Sequence, residues 1–67
     1  MDKEYRIEVY GADNRNRIAG PWWSVEKTYT LKGARVAARR IVNERNGMVI
    51  VDIVTIADGA LVERIVA

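Results

Sequence analysis

The sequence predicts an α+β fold with the order ββαββ, in which a four-stranded sheet of two hairpins carries one helix packed on one face. Alternating apolar and polar residues over 5–10 are typical of a half-buried strand. An apolar stripe at three- to four-residue spacing over 31–46 is typical of a helix. An Asp-Gly pair at 58–59, between two apolar runs, indicates a hairpin. At 67 residues the chain has room for a single domain, 1–67.

The first hairpin is expected to be long and irregular. Tyr5–Tyr10 alternates cleanly, and the polar segment 11–17 that follows is rich in Asn and Asp, which form turns through bonds to their own backbone. Pro21 lacks an N–H donor and interrupts any ladder at that point. The second strand is predicted over about 23–29, where β-forming residues dominate.

The helix has predictable ends. Thr30 is a suitable N-cap because its hydroxyl can accept a bond from a free N–H of the first turn. The helix is expected to run over 31–46 and to end at Gly47, which adopts the left-handed C-cap conformation without strain. Strands over 48–56 and 60–66 follow. If the second and third strands are parallel neighbours, the crossover between them is right-handed.

The register of the second hairpin depends on its turn. A three-residue loop over 57–59, with Gly59 as a bulge, places Asp52 opposite Arg64 and makes them a cross-strand ion pair. The full predicted set is Asp52 with Arg64, Val54 with Val62, Ile56 with Ala60, and Ile50 with Val66. A two-residue turn at 58–59 would instead set Asp52 opposite Ile65, and we prefer the first register because it leaves fewer conflicts.

The third strand carries apolar residues on both faces. Val49, Val51 and Ile53 point one way, and Ile50, Val54 and Ile56 point the other way. One helix covers only one face, and each buried Val or Ile stabilises the fold by roughly 1.5–3 kcal/mol. We therefore predict that a second copy of the chain, in a homodimer, or a partner covers the other face. The alternative is cover by strand curvature and the 11–24 segment.

Composition argues against catalysis and against cofactors. The chain has no Cys and no His, which excludes disulfides and ordinary zinc or iron sites. Its glycines are isolated, so no phosphate-binding loop is present. The acidic pairs Asp2/Glu4 and Asp52/Glu63 could meet in space, but such pairs are common in ion-pair networks. We predict no enzyme, no metal and no cofactor.

Charge and hydropathy suggest an intracellular protein. The N-terminal residues 1–6 are charged where a signal peptide needs an apolar run. The longest apolar stretches are too short to cross a bilayer, so no membrane contact is expected. The absence of Cys fits a reducing compartment. We expect a cytoplasmic protein whose net charge of +2 permits, without requiring, an acidic partner.

Two adjacent tryptophans are the first candidate binding site. Trp22 and Trp23, if both lie in a strand, point to opposite faces, so only one can enter the core. Trp is enriched at binding hot spots, and Arg15 and Arg17 lie in the preceding loop. These four residues are the predicted surface for a protein partner. The alternative is that Trp22 folds back as a lid over the helix packing or the open sheet face.

The helix offers a second candidate surface. Lys32, Arg35 and Arg39 form a stripe on its outer face, and Arg40 lies beside them. Several cations on one face suit the phosphates of nucleic acid, which makes a nucleic-acid-binding regulator the alternative function. Glutamates elsewhere dilute this field, and a solvated helix face is the simpler explanation.

The layout of the chain resembles that of small orphan proteins encoded by bacteriophages of high-GC hosts. The shared features are a charged start, the strand Tyr5–Tyr10, the Gly-Pro-Trp-Trp segment 20–23, one helix rich in Ala and Arg, and a terminal Asp-Gly hairpin. The resemblance implies a small accessory protein that binds a host or phage macromolecule.

Overall fold

A computed structural model describes residues 4–13 and 20–66, and within these all side chains except those of residues 26–29. The elements are β1 (Tyr5–Gly11), β2 (Trp23–Tyr29), α1 (Leu31–Glu44), β3 (Val49–Thr55) and β4 (Leu61–Ile65). The four strands form one sheet in the order β2-β1-β3-β4, and each neighbouring pair is antiparallel. The predicted α+β fold with two hairpins and one helix is confirmed.

The position of β1 decides the topology of the sheet. It pairs with β2 on one side and with β3 on the other, so β2 and β3 are not neighbours. A right-handed crossover is expected only if β2 and β3 are parallel neighbours, and they are not. Ile7 and Val9 of β1 are fully buried, as expected of a strand with neighbours on both sides.

The helix begins as predicted and ends earlier than predicted. The Thr30 hydroxyl accepts a hydrogen bond from the Gly33 N–H at 3.1 Å, which confirms the N-cap. The last helical residue is Glu44 rather than Asn46. Asn46 and Gly47 both have positive φ, at 54° and 74°, so the left-handed turn takes two residues and begins one residue before the glycine.

The main core lies between α1 and one face of the sheet. The helix contributes small side chains, and the strands contribute Ile and Val. The buried members are Ile7, Val9, Ala34, Ala38, Val42, Val49, Val51, Ile53 and Ile65. Alanines on the inner face of α1 have no bulk beyond Cβ, so they let the helix backbone approach the sheet closely.

The second face of β3 is buried within the single chain. Ile50 and Val54 are buried even though no helix lies on this side of the described sheet. The prediction that these residues need cover from a second copy is therefore wrong for this face. Ile56 belongs to the turn after β3 and is exposed. Part of the alternative cover, residues 14–19, lies outside the described residues.

A buried ion pair joins β3 to β4 on this face. Asp52 is directly opposite Arg64, as predicted, and its side chain has 0% exposure. The Arg64 guanidinium binds both carboxylate oxygens, with Nε at 2.8 Å from Oδ1 and Nη2 at 3.1 Å from Oδ2. A forked contact of this kind is a strong, charge-assisted one.

The two predicted pairs nearest the turn, Val54 with Val62 and Ile56 with Ala60, are wrong because the turn is longer than three residues. The Thr55 N–H donates to the Ala60 carbonyl at 3.0 Å, so residues 56–59 form the turn. Val54 then faces Leu61 instead of Val62. Val62 is the extra residue of a bulge, and this bulge restores the register before Arg64 reaches Asp52.

We predict that Asp52→Asn lowers the free energy of unfolding by about 3 kcal/mol, because it leaves the part-buried Arg64 side chain without its anion. Glu63→Gln is the control. Glu63 also pairs with an arginine, Arg35, but both side chains are partly exposed, and the expected loss is below about 1 kcal/mol. Urea unfolding followed by circular dichroism measures both. Equal losses would contradict a structural role specific to the buried pair.

Candidate interaction surface

The structure describes only part of the predicted Trp/Arg surface. Trp22 and Trp23 lie within the described residues, at the start of β2. Arg15 and Arg17 lie outside the described residues, and their predicted role stays a prediction. Neither tryptophan belongs to the buried core.

Trp22 is exposed and yet held by its neighbours. Its side chain is 64% exposed. The main-chain N–H of Trp22 donates to the Val9 carbonyl at 2.7 Å. The indole ring lies so close to Gly11 that a Cβ on Gly11 would stand 2.7 Å from Cζ2 of the ring. Gly11 is therefore required by the close approach of the indole rather than by its backbone angles.

Trp23 lies on the helix side of the sheet. It is opposite Val9, whose side chain is part of the core under α1. The Arg45 guanidinium carbon lies 5.1 Å from the centroid of the Trp23 ring, within range of a cation–π contact. Arg45 follows the last residue of the helix, so this contact ties the helix C-terminus to β2.

The condition under which the two indoles would point to opposite faces, that both lie in a strand, is not met. Trp22 precedes β2, so the two-residue alternation of a strand does not apply to it. Gly11 is opposite Val49, a residue of the core under the helix, so a ring that covers Gly11 lies on the same side as Trp23. The predicted alternative is that Trp22 folds back as a lid. The ring covers Gly11, but most of Trp22 stays exposed.

Met48 is joined to this region through its main chain. It is highly exposed, and its carbonyl accepts a hydrogen bond from the Ala12 N–H at 3.2 Å, one residue beyond Gly11. We call the group Trp22, Trp23, Arg45 and Met48 the aromatic end. Sequence reasoning did not single out Arg45 or Met48 as surface residues, because Arg45 lies within the predicted helix and Met48 within the predicted third strand.

A second group of exposed apolar residues lies at the opposite edge of the sheet. Four of them belong to the turn after β3, to β4 or to the residue after it: Ile56, Leu61, Val62 and Val66. We call these four residues the hairpin edge. Within the described chain, the other large exposed apolar side chain is Val36, on the outer face of α1. The exposed apolar surface is thus concentrated at two separate places.

The predicted basic face of α1 is exposed but partly committed to contacts with the sheet. Lys32, Arg35, Arg39 and Arg40 are all exposed. Arg35 binds Glu63 Oε1 through Nη2 at 3.0 Å and Nε at 3.1 Å. Arg39 Nη1 donates to the Val66 carbonyl at 3.2 Å. Two of the four cations therefore reach toward β4, and the other two have no such contact among residues 4–13 and 20–66.

The acidic residues meet in a different combination from the predicted one. Asp2 lies outside the described residues, and Glu63 faces the helix side while Asp52 lies on the other face. Asp52 instead has Glu8 directly opposite it on β1. Glu8 accepts from Arg6 at 3.1 Å and from the Tyr10 hydroxyl at 3.0 Å. Each carboxylate thus has a cationic partner, as in a structural ion-pair network.

The described residues contain no group of three or more His, Cys, Asp or Glu arranged to hold a metal ion. Their one helix is too short and too polar to cross a membrane. A search among protein-family models, curated proteins and solved structures finds no significant match to this chain. The resemblance to bacteriophage accessory proteins therefore stays a prediction.

We predict that Gly11→Ala displaces the Trp22 indole and lowers the free energy of unfolding by about 1–3 kcal/mol, the usual cost of overpacking. Gly20→Ala is the control, because a Cβ at Gly20 meets nothing within 4 Å. Urea unfolding and the NMR shift of the Trp22 indole N–H measure both effects. An unshifted indole in Gly11→Ala would contradict the close contact.

Proposed function

We propose that the protein is a cytoplasmic, non-catalytic interaction module that binds a protein partner through the aromatic end and associates with itself. The observation that carries the proposal is the state of Trp22, which is 64% exposed but attached to β1 through its main chain and its ring. An aromatic side chain that is already positioned loses little conformational freedom on binding. The lack of Cys supports a reducing compartment.

The composition of the core adds a second argument. The chain has two Trp and no Phe, and the buried cluster beneath α1 consists of Ile, Val and Ala, while Tyr10 is buried on the other face of the sheet. The largest apolar side chains are thus left at the surface in a domain whose small size makes apolar burial valuable. Trp at the centre of an interface is a frequent hot spot, and Met and Arg are also enriched there.

Two predicted partner-binding residues complete the proposal. Arg15 and Arg17 precede the tryptophans in the sequence, in the segment between β1 and β2. We propose that they extend the aromatic end with positive charge. Charges at the rim of an interface act mainly on the association rate and on its salt dependence.

We predict that Trp22→Ala leaves the fold intact and weakens partner binding by about thirtyfold or more, the effect of losing a hot-spot residue. The partner would be captured with immobilised wild-type protein from the cells that produce it, then purified and titrated by calorimetry. Val36→Ala is the matched control, since Val36 is as exposed but lies away from the aromatic end.

Two results would contradict this function. If the purified partner bound Trp22→Ala as tightly as wild type, the aromatic end would not be the binding site. If Trp22→Ala unfolded, the fold would depend on Trp22 as it does on a core residue, and the indole would not be available for binding a partner.

A second candidate function is the binding of nucleic acid by α1. The helix and its C-cap contain five cations and one carboxylate, Glu44, in a chain whose net charge is +2. Positive charge is therefore concentrated on this element. Lys32 and Arg40 are exposed and have no ion pair within the described part of the chain, so they are the cations best placed to bind phosphates.

We predict for this second function that binding to a labelled DNA duplex falls steeply with salt. In a plot of the logarithm of affinity against the logarithm of salt concentration, each phosphate contact should contribute about −0.9 to the slope. Lys32→Gln combined with Arg40→Gln should therefore make the slope less steep by roughly 2. Fluorescence anisotropy at low and moderate salt measures this, with labelled RNA tested in parallel. Absence of binding to both at low salt would exclude the function.

A further inference from the structure

The edge of the sheet at β4 has the chemistry of a strand-pairing site. β4 pairs with β3 on one side and is the last strand of the described sheet on the other. The Thr55 N–H donates to the Ala60 carbonyl, so Ala60 faces β3 and the next residue, Leu61, directs its main-chain groups away from it. Outward N–H and C=O groups of an edge strand are satisfied by water or by another strand.

The side chains at this edge do not protect it in the usual way. Edge strands that avoid pairing commonly carry a β-bulge or free charges, above all Lys. β4 has the bulge at Val62, but no charged side chain protects its edge. Leu61 and Val62 are apolar and exposed. Both charges of β4 are compensated within the chain, Glu63 by Arg35 and Arg64 by Asp52. A second neutral edge can therefore approach without charge repulsion.

The C-terminal limit of the open edge is also visible. The Val66 carbonyl already accepts a hydrogen bond from Arg39. The part of the edge that precedes this contact is β4 itself, residues 61–65. Two antiparallel copies of such a stretch are related by a two-fold axis, and each presents to the other the donors and acceptors that it needs.

We propose that the hairpin edge is a homodimer interface in which β4 of one copy pairs antiparallel with β4 of a second copy. The product is a continuous eight-stranded sheet in the order β2-β1-β3-β4-β4-β3-β1-β2, with both helices on one face. This inference deepens the self-association in the proposed function and gives it a surface distinct from the aromatic end. The hairpin edge takes the place of the second face of β3 as the proposed dimer surface, because the apolar residues Ile50 and Val54 of that face are already buried.

Analytical ultracentrifugation of the wild-type chain from about 10 µM to about 1 mM tests the dimer, since that range reveals dissociation constants from micromolar to millimolar. The expected result is a concentration-dependent rise from 7.6 kDa toward twice that mass. Over the same series, NMR amide shifts should move in residues 61–65 and stay constant at Trp22 and Trp23. A monomer at every concentration would overturn the proposal.

A matched pair of variants locates the interface. Leu61→Lys places a charge on the edge and should weaken the dimer at least about tenfold, whereas Val36→Lys makes the same change on the helix and should leave it intact. The two positions have similar exposure, 46% and 58%. Circular dichroism confirms that each variant is folded, and Val62→Lys replaces Leu61→Lys if that variant unfolds.

The other outcomes separate this proposal from the proposed function. A dimer that survives Leu61→Lys and Val62→Lys but dissociates in Trp22→Ala would overturn the edge interface and assign self-association to the aromatic end. A monomer whose amides in residues 61–65 shift only when the purified partner is added would assign the edge to that partner, which also overturns the homodimer. Loss of partner binding in Trp22→Ala, with the dimer unchanged, agrees with both proposals.

Discussion

The buried carboxylate of Asp52 constrains the second half of the fold. An ionised group with no exposed surface requires a cation in good geometry, because desolvation of an unpaired charge costs several kcal/mol. Arg64 supplies that cation, so β4 must be in the register that brings it opposite Asp52.

The consequences of this register extend to the edge of the sheet. A four-residue turn over 56–59 places Ala60 opposite Thr55, and without correction Arg64 would miss Asp52 by one position. The bulge at Val62 absorbs the extra residue. Leu61 and Val62 are exposed at this edge, so the bulge that sets the register of Arg64 lies within the proposed dimer surface.

The small residues of α1 also affect parts of the molecule outside the helix. Ala34 and Ala38 let the helix lie close to β1 and β3, and Ile and Val then fill the core. Neither Trp is needed inside. The helix ends where Arg45 meets Trp23, and Gly11 leaves the space that Trp22 occupies. The aromatic end and the hairpin edge lie on different strands at opposite sides of the sheet order.

The kind and order of the elements, the Thr30 cap and the Asp52–Arg64 pair could be predicted from the sequence, because each depends on local periodicity, local hydrogen bonds or the need to neutralise a charge. The place of β1 between β2 and β3, the burial of Ile50 and Val54 in one chain and the position of both tryptophans on the helix side of the sheet could be read only from the folded chain. Strand order and residual exposure depend on contacts between segments far apart in sequence, and strand periodicity does not govern a residue such as Trp22 that precedes its strand. The proposed sites therefore rest on residual exposure, which only the assembled sheet and helix determine.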